Sequence, residues 1–420
     1  MTDAASKLRW DIFCKVVDNF GDIGICWRLA QQLQIEHGLQ VKLWVDDLDS
    51  AQKIIPFLNT QLNQQVIDNI SIKKWYADAD FNPAADVVIE AFACDLPLAY
   101  LAAMTLKQSK WINLEYLSAE AWVDDFHAKP SPKSEYKLVR HFYFPGFTEK
   151  TGGLIREAHL ARQFAINPRA QSVEGARQRG RGAEHVNFNA AALSNLSDGT
   201  TKHLTRLTND ISQVIANPTS GREAKVNGAL KISLFSYPFA PIHDVLNALQ
   251  ANSHEVHVYA PQSSILPNIA QFFGKKSVQV GDKLYQNNLT VEILPFLSQA
   301  DYDALLAKCD LNFVRGEDSW IRAIWAGKPF IWQPYIQDEN AHMKKLDAFL
   351  NLFYANYEQK QLVCEAHKYW SAGQLPKAVL NDYLNDLDAI RTHTKLQSAA
   401  LAKQPDLAAK LVAFCSNLTI

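Results

Sequence analysis

Apolar positions along the chain switch repeatedly between short continuous runs and a spacing of three and four, the mark of strands alternating with amphipathic helices. Residues 10–17 (WDIFCKVV) form such a run with a β-branched end and are predicted as a strand. A turn rich in capping residues follows at 18–22. Ile23, Cys26, Trp27, Ala30 and Leu33 then share one helical face, so residues 23–37 are predicted as a helix lying on a sheet and stopped by Gly38. Residues 40–45 supply the next strand, and further continuous runs at 71–75, 86–92 and 111–116 suit strands covered on both faces. A βαβ opening of this kind makes a parallel, doubly wound sheet the expected first domain, with ligands outside the carboxyl ends of its strands.

The pattern then breaks. Residues 129–132 and 144–153 are irregular, aromatic and rich in Gly and Pro, which fits either a surface connection or a loop that grips a partner. From 167 to 228 apolar density falls and Arg177-Gln178-Arg179-Gly180-Arg181-Gly182 sits among small polar residues, a composition read as a linker or insertion. A second alternating series follows. Strands are predicted at 229–235, 255–259, 289–294 and 310–314 and helices at 242–250, 298–308 and 320–326, the last stopped by Gly327-Lys328-Pro329. Beyond residues 330–332 the chain reads as helical to its end, with Pro405 in the first turn of one helix. The expected fold is α/β, two doubly wound Rossmann-type domains facing across a cleft. The expected boundaries are 1–166, 167–228, 229–390 and a helical 391–420.

Composition narrows the class. The chain has 420 residues, enough for two cores, and its 42 basic and 44 acidic side chains leave a net charge of −2. Broad electrostatic binding to nucleic acid or to anionic membrane is therefore not expected. Neither a signal-like start nor a long apolar span is present, so a soluble cytoplasmic protein is expected. Six scattered cysteines without C-x-x-C spacing read as reduced core residues rather than metal ligands.

Candidate chemistry falls at strand ends. Asp18 and Asp22 lie four apart across a strand-to-helix turn, where either can serve as a base and either can instead cap the helix. Asp46 and Asp47 sit where a dinucleotide site would need an acid, and Asp47-Leu48-Asp49 has the form of a metal-binding D-x-D. The incomplete glycine pattern around Gly21 and Gly24, and the lack of partner ligands, make these acids a strand end and a helix cap. In the second half, Val314-Arg315-Gly316-Glu317-Asp318-Ser319 joins a strand to a helix, with Asp318 or Ser319 placed to cap it. An anion is expected at that helix start. Phe235, Tyr237, Phe296 and Tyr302 at neighbouring strand ends suit stacking on a planar base, so the region reads as a nucleoside-diphosphate pocket.

Residues 11–24 with Cys26-Trp27-Arg28-Leu29, residues 144–154, Leu294-Pro295-Phe296, residues 315–319 and residues 325–330 together resemble the bacterial protein-arginine rhamnosyltransferases that modify elongation factor P. The resemblance spans nearly the whole chain; the stretch 167–228 is longer and richer in Arg and Gly than the family's connection. It implies a GT-B fold, dTDP-L-rhamnose as donor, inverting transfer to one arginine of elongation factor P in support of translation through proline-rich stretches, and no metal or cofactor. By the resemblance Asp22 matches the general base, Asp18 its essential neighbour and Glu317 a further catalytic group. Arg315, Glu317, Asp318 and Ser319 match the donor motif, and Phe235, Tyr237, Phe296, Gln299 and Tyr302 match positions around the nucleoside and sugar. The alternatives are a non-catalytic nucleotide-sugar or dinucleotide binder, an NAD-dependent oxidoreductase, or an RNA-associated protein using the arginine–glycine cluster.

Overall fold

The computed structural model describes residues 8–17, 20–76, 79–133, 136–160 and 228–419. The expected linker or insertion, apart from Gly228, lies outside the described residues with its arginine–glycine cluster, and so does Asp18. In the first half β1 (Arg9–Cys14), α1 (Gly21–Ile35), β2 (Gln40–Val45), α2 (Leu48–Ile54), β3 (Gln64–Ile67), β4 (Ile70–Lys74), β5 (Val87–Ala91), α3 (Leu98–Lys107), β6 (Lys110–Leu114), α4 (Val123–Phe126), β7 (Pro130–Lys133) and β8 (Leu138–Tyr143) follow one another. Their sheet runs β3-β4-β2-β1-β5-β6-β8-β7 and is parallel except for the β3–β4 and β7–β8 edge pairs. The second half contains β9 (Leu230–Leu234), α5 (Ile242–Leu249), β10 (Val256–Pro261), α6 (Leu266–Phe272), β11 (Lys283–Gln286), β12 (Leu289–Leu294), α7 (Gln299–Lys308), β13 (Leu311–Arg315), α8 (Asp318–Ala326) and β14 (Phe330–Gln333). That sheet runs β11-β12-β10-β9-β13-β14, with only β11 antiparallel among the described strands. Helices α9 (Ala341–Phe353), α10 (Lys360–Ser371), α11 (Lys377–Asn385), α12 (Leu387–Leu401) and α13 (Leu407–Asn417) complete the chain. Among the described residues no helix is long and apolar enough to cross a membrane.

Several expectations change. The first strand ends at Cys14 rather than at 17, because the Val16 N–H turns to the Asp46 carboxylate at 2.9 Å and the Val17 N–H to Asp22 at 2.9 Å, which takes both amides out of the ladder. Residues 330–333 add a buried strand beside β13; four residues are too few to show a period. Residues 129–132, expected to be irregular, largely enter β7, an edge strand whose prolines withhold amide donors from further pairing. The boundary expected after residue 390 falls inside α12, and Pro405 precedes its helix: Asp406 is the cap of α13, accepting the Ala409 N–H at 3.0 Å.

Helix α1 is covered on more than the single face its spacing predicts, with most residues from Asp22 to Leu33 buried. It packs on β1 and β2 and also meets α8 and α13. The loop at 144–153 is not a plain surface connection: apart from Thr148, Glu149 and Lys150 its residues are buried. Its aromatic and glycine residues are among them, and Phe147 packs against both Trp320 and Phe349 at ring distances of 5.4 and 5.5 Å. Trp320 in turn stacks on Trp332 at 3.7 Å. The chain then returns: α13 lies against the first half, where the Leu407 N–H donates to the Leu154 carbonyl at 2.9 Å and Phe414 meets Tyr143 at 5.5 Å. Both halves thus belong to one compact unit.

Candidate functional site

Two adjoining cavities lie at the carboxyl ends of the strands. The first, about 700 Å³, is walled by the ends of β9, β12 and β13 and the start of α8. The turn from β13 into α8 depends on Gly316, whose φ of 61° is disfavoured for residues with a side chain. The turn is pinned to β14 by the Gly316 N–H on the Gln333 carbonyl at 3.0 Å and the Trp332 Nε1–H on the Gly316 carbonyl at 2.7 Å. Neither Asp318 nor Ser319 caps α8, contrary to the sequence expectation. The Ser319 hydroxyl instead accepts the Arg315 N–H at 3.0 Å and donates back to the Arg315 carbonyl. The Asp318 carboxylate is taken by Arg28 Nε at 2.8 Å. The amino end of α8 therefore keeps amides with no side-chain cap.

All nine residues assigned to the donor line this cavity. The Arg315 guanidinium lies 4.6 Å from the ring centres of both Phe235 and Tyr237, a cation held between two aromatic faces. Tyr237 is fixed through its N–H on Gln333 Oε1 at 2.9 Å, and Tyr302 meets Phe235 edge-on at 5.5 Å. Gln299 Nε2 donates to the Gly24 carbonyl at 3.1 Å, so its side chain crosses to α1. Phe296 faces Phe20 of the first half at 5.1 Å, and Gly21 and Ile54 also line the wall. The sequence reading drew the nucleotide contacts from the second half alone; the first half closes the pocket.

The second cavity, about 710 Å³, shares Gly21, Gly316 and Glu317 with the first. Asp22 is here, 2% exposed, and it does not cap α1. Its carboxylate accepts the Val17 N–H at 2.9 Å and the Tyr116 hydroxyl at 3.2 Å. Tyr116 stacks on Phe92 at 4.3 Å, and Lys345 Nζ sits 5.7 Å from the Tyr116 ring. Glu317 stands between the cavities and accepts the Leu117 N–H at 2.9 Å. Burial pushes its carboxyl up to about 7; Asp22 and Asp318 add to the rise, while the Lys345 ammonium and the Leu117 amide oppose it. Phe92, Tyr116, Trp332, Tyr335 and Lys345 were not singled out from the sequence, since nothing local distinguishes them from other aromatic and basic residues.

The acids weighed for a dinucleotide or metal are committed elsewhere. Asp46 accepts the Val16 and Asp47 amides, each at 2.9 Å, and Asp47 caps α2 by accepting the Asp49 and Ser50 amides at 3.0 and 3.1 Å. The six cysteines are free, and all but Cys364 are buried. Among the described residues no group of three or more His, Cys, Asp or Glu is placed to hold a metal.

Residues 10–416 match the family model described as Elongation-Factor P (EF-P) rhamnosyltransferase EarP. A protein-arginine rhamnosyltransferase of Pseudomonas putida is 40% identical over 420 residues, covering 98% of this chain and 99% of the relative. Its counterpart in Pseudomonas aeruginosa is 37% identical over 415 residues, covering 97% and 99%. A solved structure described as the structural basis for EarP-mediated arginine glycosylation of translation elongation factor EF-P superposes with a TM-score of 0.61 at 29% identity, covering 98% of this chain and all of that one. The chain belongs to the EarP family of elongation factor P rhamnosyltransferases and is a glycosyltransferase with the two-sheet GT-B fold.

Proposed function

We propose that this protein transfers L-rhamnose from dTDP-L-rhamnose to an arginine side chain of elongation factor P, with inversion at the anomeric carbon, and so supports translation through proline-rich stretches. The observation that carries the reading is the pair of adjoining cavities with Glu317 between them, one holding Arg315 and uncapped α8 amides, the other Asp22 and aromatic faces. Family membership supports the sugar and the acceptor.

Arginine is a weak nucleophile because its guanidinium stays protonated, with a pKa above about 12. In this reading the acceptor side chain enters the second cavity beside Asp22 and Glu317. Asp22, held by the Val17 amide and the Tyr116 hydroxyl, hydrogen-bonds the guanidinium, points one nitrogen at the anomeric carbon and takes a proton as the C–N bond forms. The C–O bond to the diphosphate breaks on the opposite face. The negative charge that grows on the leaving dTDP is met by Arg315 and the amides at the start of α8, rather than by a metal. Glu317 gives the guanidinium a second carboxylate. Asp18 is assigned as the neighbour of the base, on the resemblance alone.

The test is intact-mass analysis of elongation factor P after incubation with the protein and dTDP-L-rhamnose. A single deoxyhexose addition that is lost when the target arginine is replaced by lysine is expected. No addition, or addition with another nucleotide sugar only, overturns the reading.

A further inference from the structure

Arg28 belongs to α1 in the first half, yet its guanidinium ends among carboxylates that include two from the second half. Nε donates to Asp318 Oδ1 at 2.8 Å, Nη1 to Glu157 at 3.0 Å, and Nη1 and Nη2 each approach Asp303 at 3.3 Å. Arg322 of α8 binds the same two neighbours, Asp303 at 2.9 and 2.6 Å and Glu157 at 2.5 Å. Both arginines are deeply buried, with side chains 5% and 1% exposed. Burial alone would raise the Glu157 carboxyl, but Arg322 and Arg28 hold it down to about 2. Asp303 and Glu157 are each held by both arginines, whereas Asp318 is held by Arg28, with Gln299 Nε2 approaching at 3.5 Å.

Asp318 is an anomaly in the donor cavity: it puts a carboxylate in the first turn of the helix proposed to receive an anionic diphosphate. Uncompensated, it would repel that ligand. The two halves also meet closely here, since a Cβ on Gly24 would lie 3.4 Å from Asp318 Oδ2. We propose that Arg28 is a positioning residue for donor binding, reaching across from the first half to tie down and neutralise the Asp318 carboxylate, so that closure of the halves prepares the amino end of α8 for a diphosphate. The inference rests on the nucleoside-diphosphate reading above.

The experiment is a titration of dTDP and of uncharged thymidine into the wild type, Arg28→Gln, Asp318→Asn and the double variant, each checked for folding by thermal melting. Arg28→Gln is expected to weaken dTDP binding about tenfold or more while changing thymidine binding by less than about threefold, because only the diphosphate meets the released charge. With Asp318→Asn already present, Arg28→Gln is expected to cost less than about twofold. Equal losses for dTDP and thymidine, equal losses in both backgrounds, or no loss at all overturns the proposal. Should Arg28→Gln not fold, Arg28→Lys keeps the charge without the three-way fork and is expected to show the same contrasts at smaller size. A wild type that binds no dTDP would instead sink the donor reading, which keeps the two failures apart.

Discussion

The two cavities share a wall at Gly21, Gly316 and Glu317, yet their linings differ. In the first, a cation is the central feature: Arg315 lies between Phe235 and Tyr237 beside uncapped helix amides, and the acid that intrudes, Asp318, is matched by Arg28. In the second, Asp22 and Glu317 share the lining with Tyr116, Tyr335 and the Lys345 ammonium. An anionic nucleotide suits the former and a guanidinium the latter, because planar cations stack on aromatic faces and pair with carboxylates. Under the proposed function, the difference assigns the nucleotide to the cavity with Arg315 and the acceptor arginine to the cavity with Asp22. Glu317 lines both cavities.

The comparison breaks most sharply at Asp22. Asp22→Asn keeps size and part of the hydrogen bonding but removes the basic oxygen, so single-turnover transfer is expected to fall at least about 10²-fold while dTDP affinity holds. Near-wild-type turnover would remove Asp22 as the base and leave Asp18 as the next candidate. On the other wall, Arg315→Ala is expected to weaken dTDP-sugar binding by about 1.5 to 3 kcal/mol, the range of charge-assisted contacts. Calorimetric titration checks this, and an unchanged affinity would assign the Phe235–Tyr237 slot to something other than holding a diphosphate-binding cation. Phe296→Ala tests stacking at the Phe20 contact; about 1 to 3 kcal/mol of nucleotide affinity should be lost with little change in melting temperature. The reverse pattern would make Phe296 a packing residue.

The mildest probe is pH. Because the Glu317 carboxyl is raised to about 7, its ionised fraction grows as pH rises through neutrality, so the KM for the arginine acceptor should fall severalfold between about pH 6 and about pH 8. Glu317→Gln should flatten that dependence; a profile identical to wild type would place the titration on another group. The sign for stability is opposite to that of a paired carboxylate. A folded-state pKa above the ordinary 4.5 means the native protein holds this proton longer than the unfolded chain, so the contribution of Glu317 to stability declines as pH climbs from about 4.5 to about 7.

Much of this site was legible because strand-to-helix turns announce themselves locally. The runs at 40–45 and 289–294 became β2 and β12 without change, and Ser298 capped α7 by accepting the Asp301 amide, one residue outside the helix it was expected to begin. The stop at Gly327 also holds: it is the carboxyl cap of α8. Short edge strands were missed, since Gln64–Ile67 and Lys283–Gln286 carry too few apolar residues to alternate visibly and owe their form to hairpin pairing with β4 and β12. The cap expected from Asp318 failed for a different reason. A carboxylate prefers a buried guanidinium to a backbone amide when one is within reach, and Arg28 is 290 positions away in the chain.

What the chain determines by itself is therefore the local part: period-two and period-three-to-four spacing, turn residues and caps, which depend on neighbours within a few positions. These were enough for two largely parallel sheets and for placing Asp22 and Arg315 at strand-to-helix connections. Only the tertiary structure decided that Phe20, Gly21 and Ile54 of the first half would complete the nucleotide-side cavity, that Phe147 would be buried against Trp320, and that Glu317 would carry a carboxyl raised to about 7. Desolvation, ring stacking and charge pairing depend on what is brought near from far along the chain. Such neighbours have no period in the sequence, and here they are set by the meeting of α1 with α8.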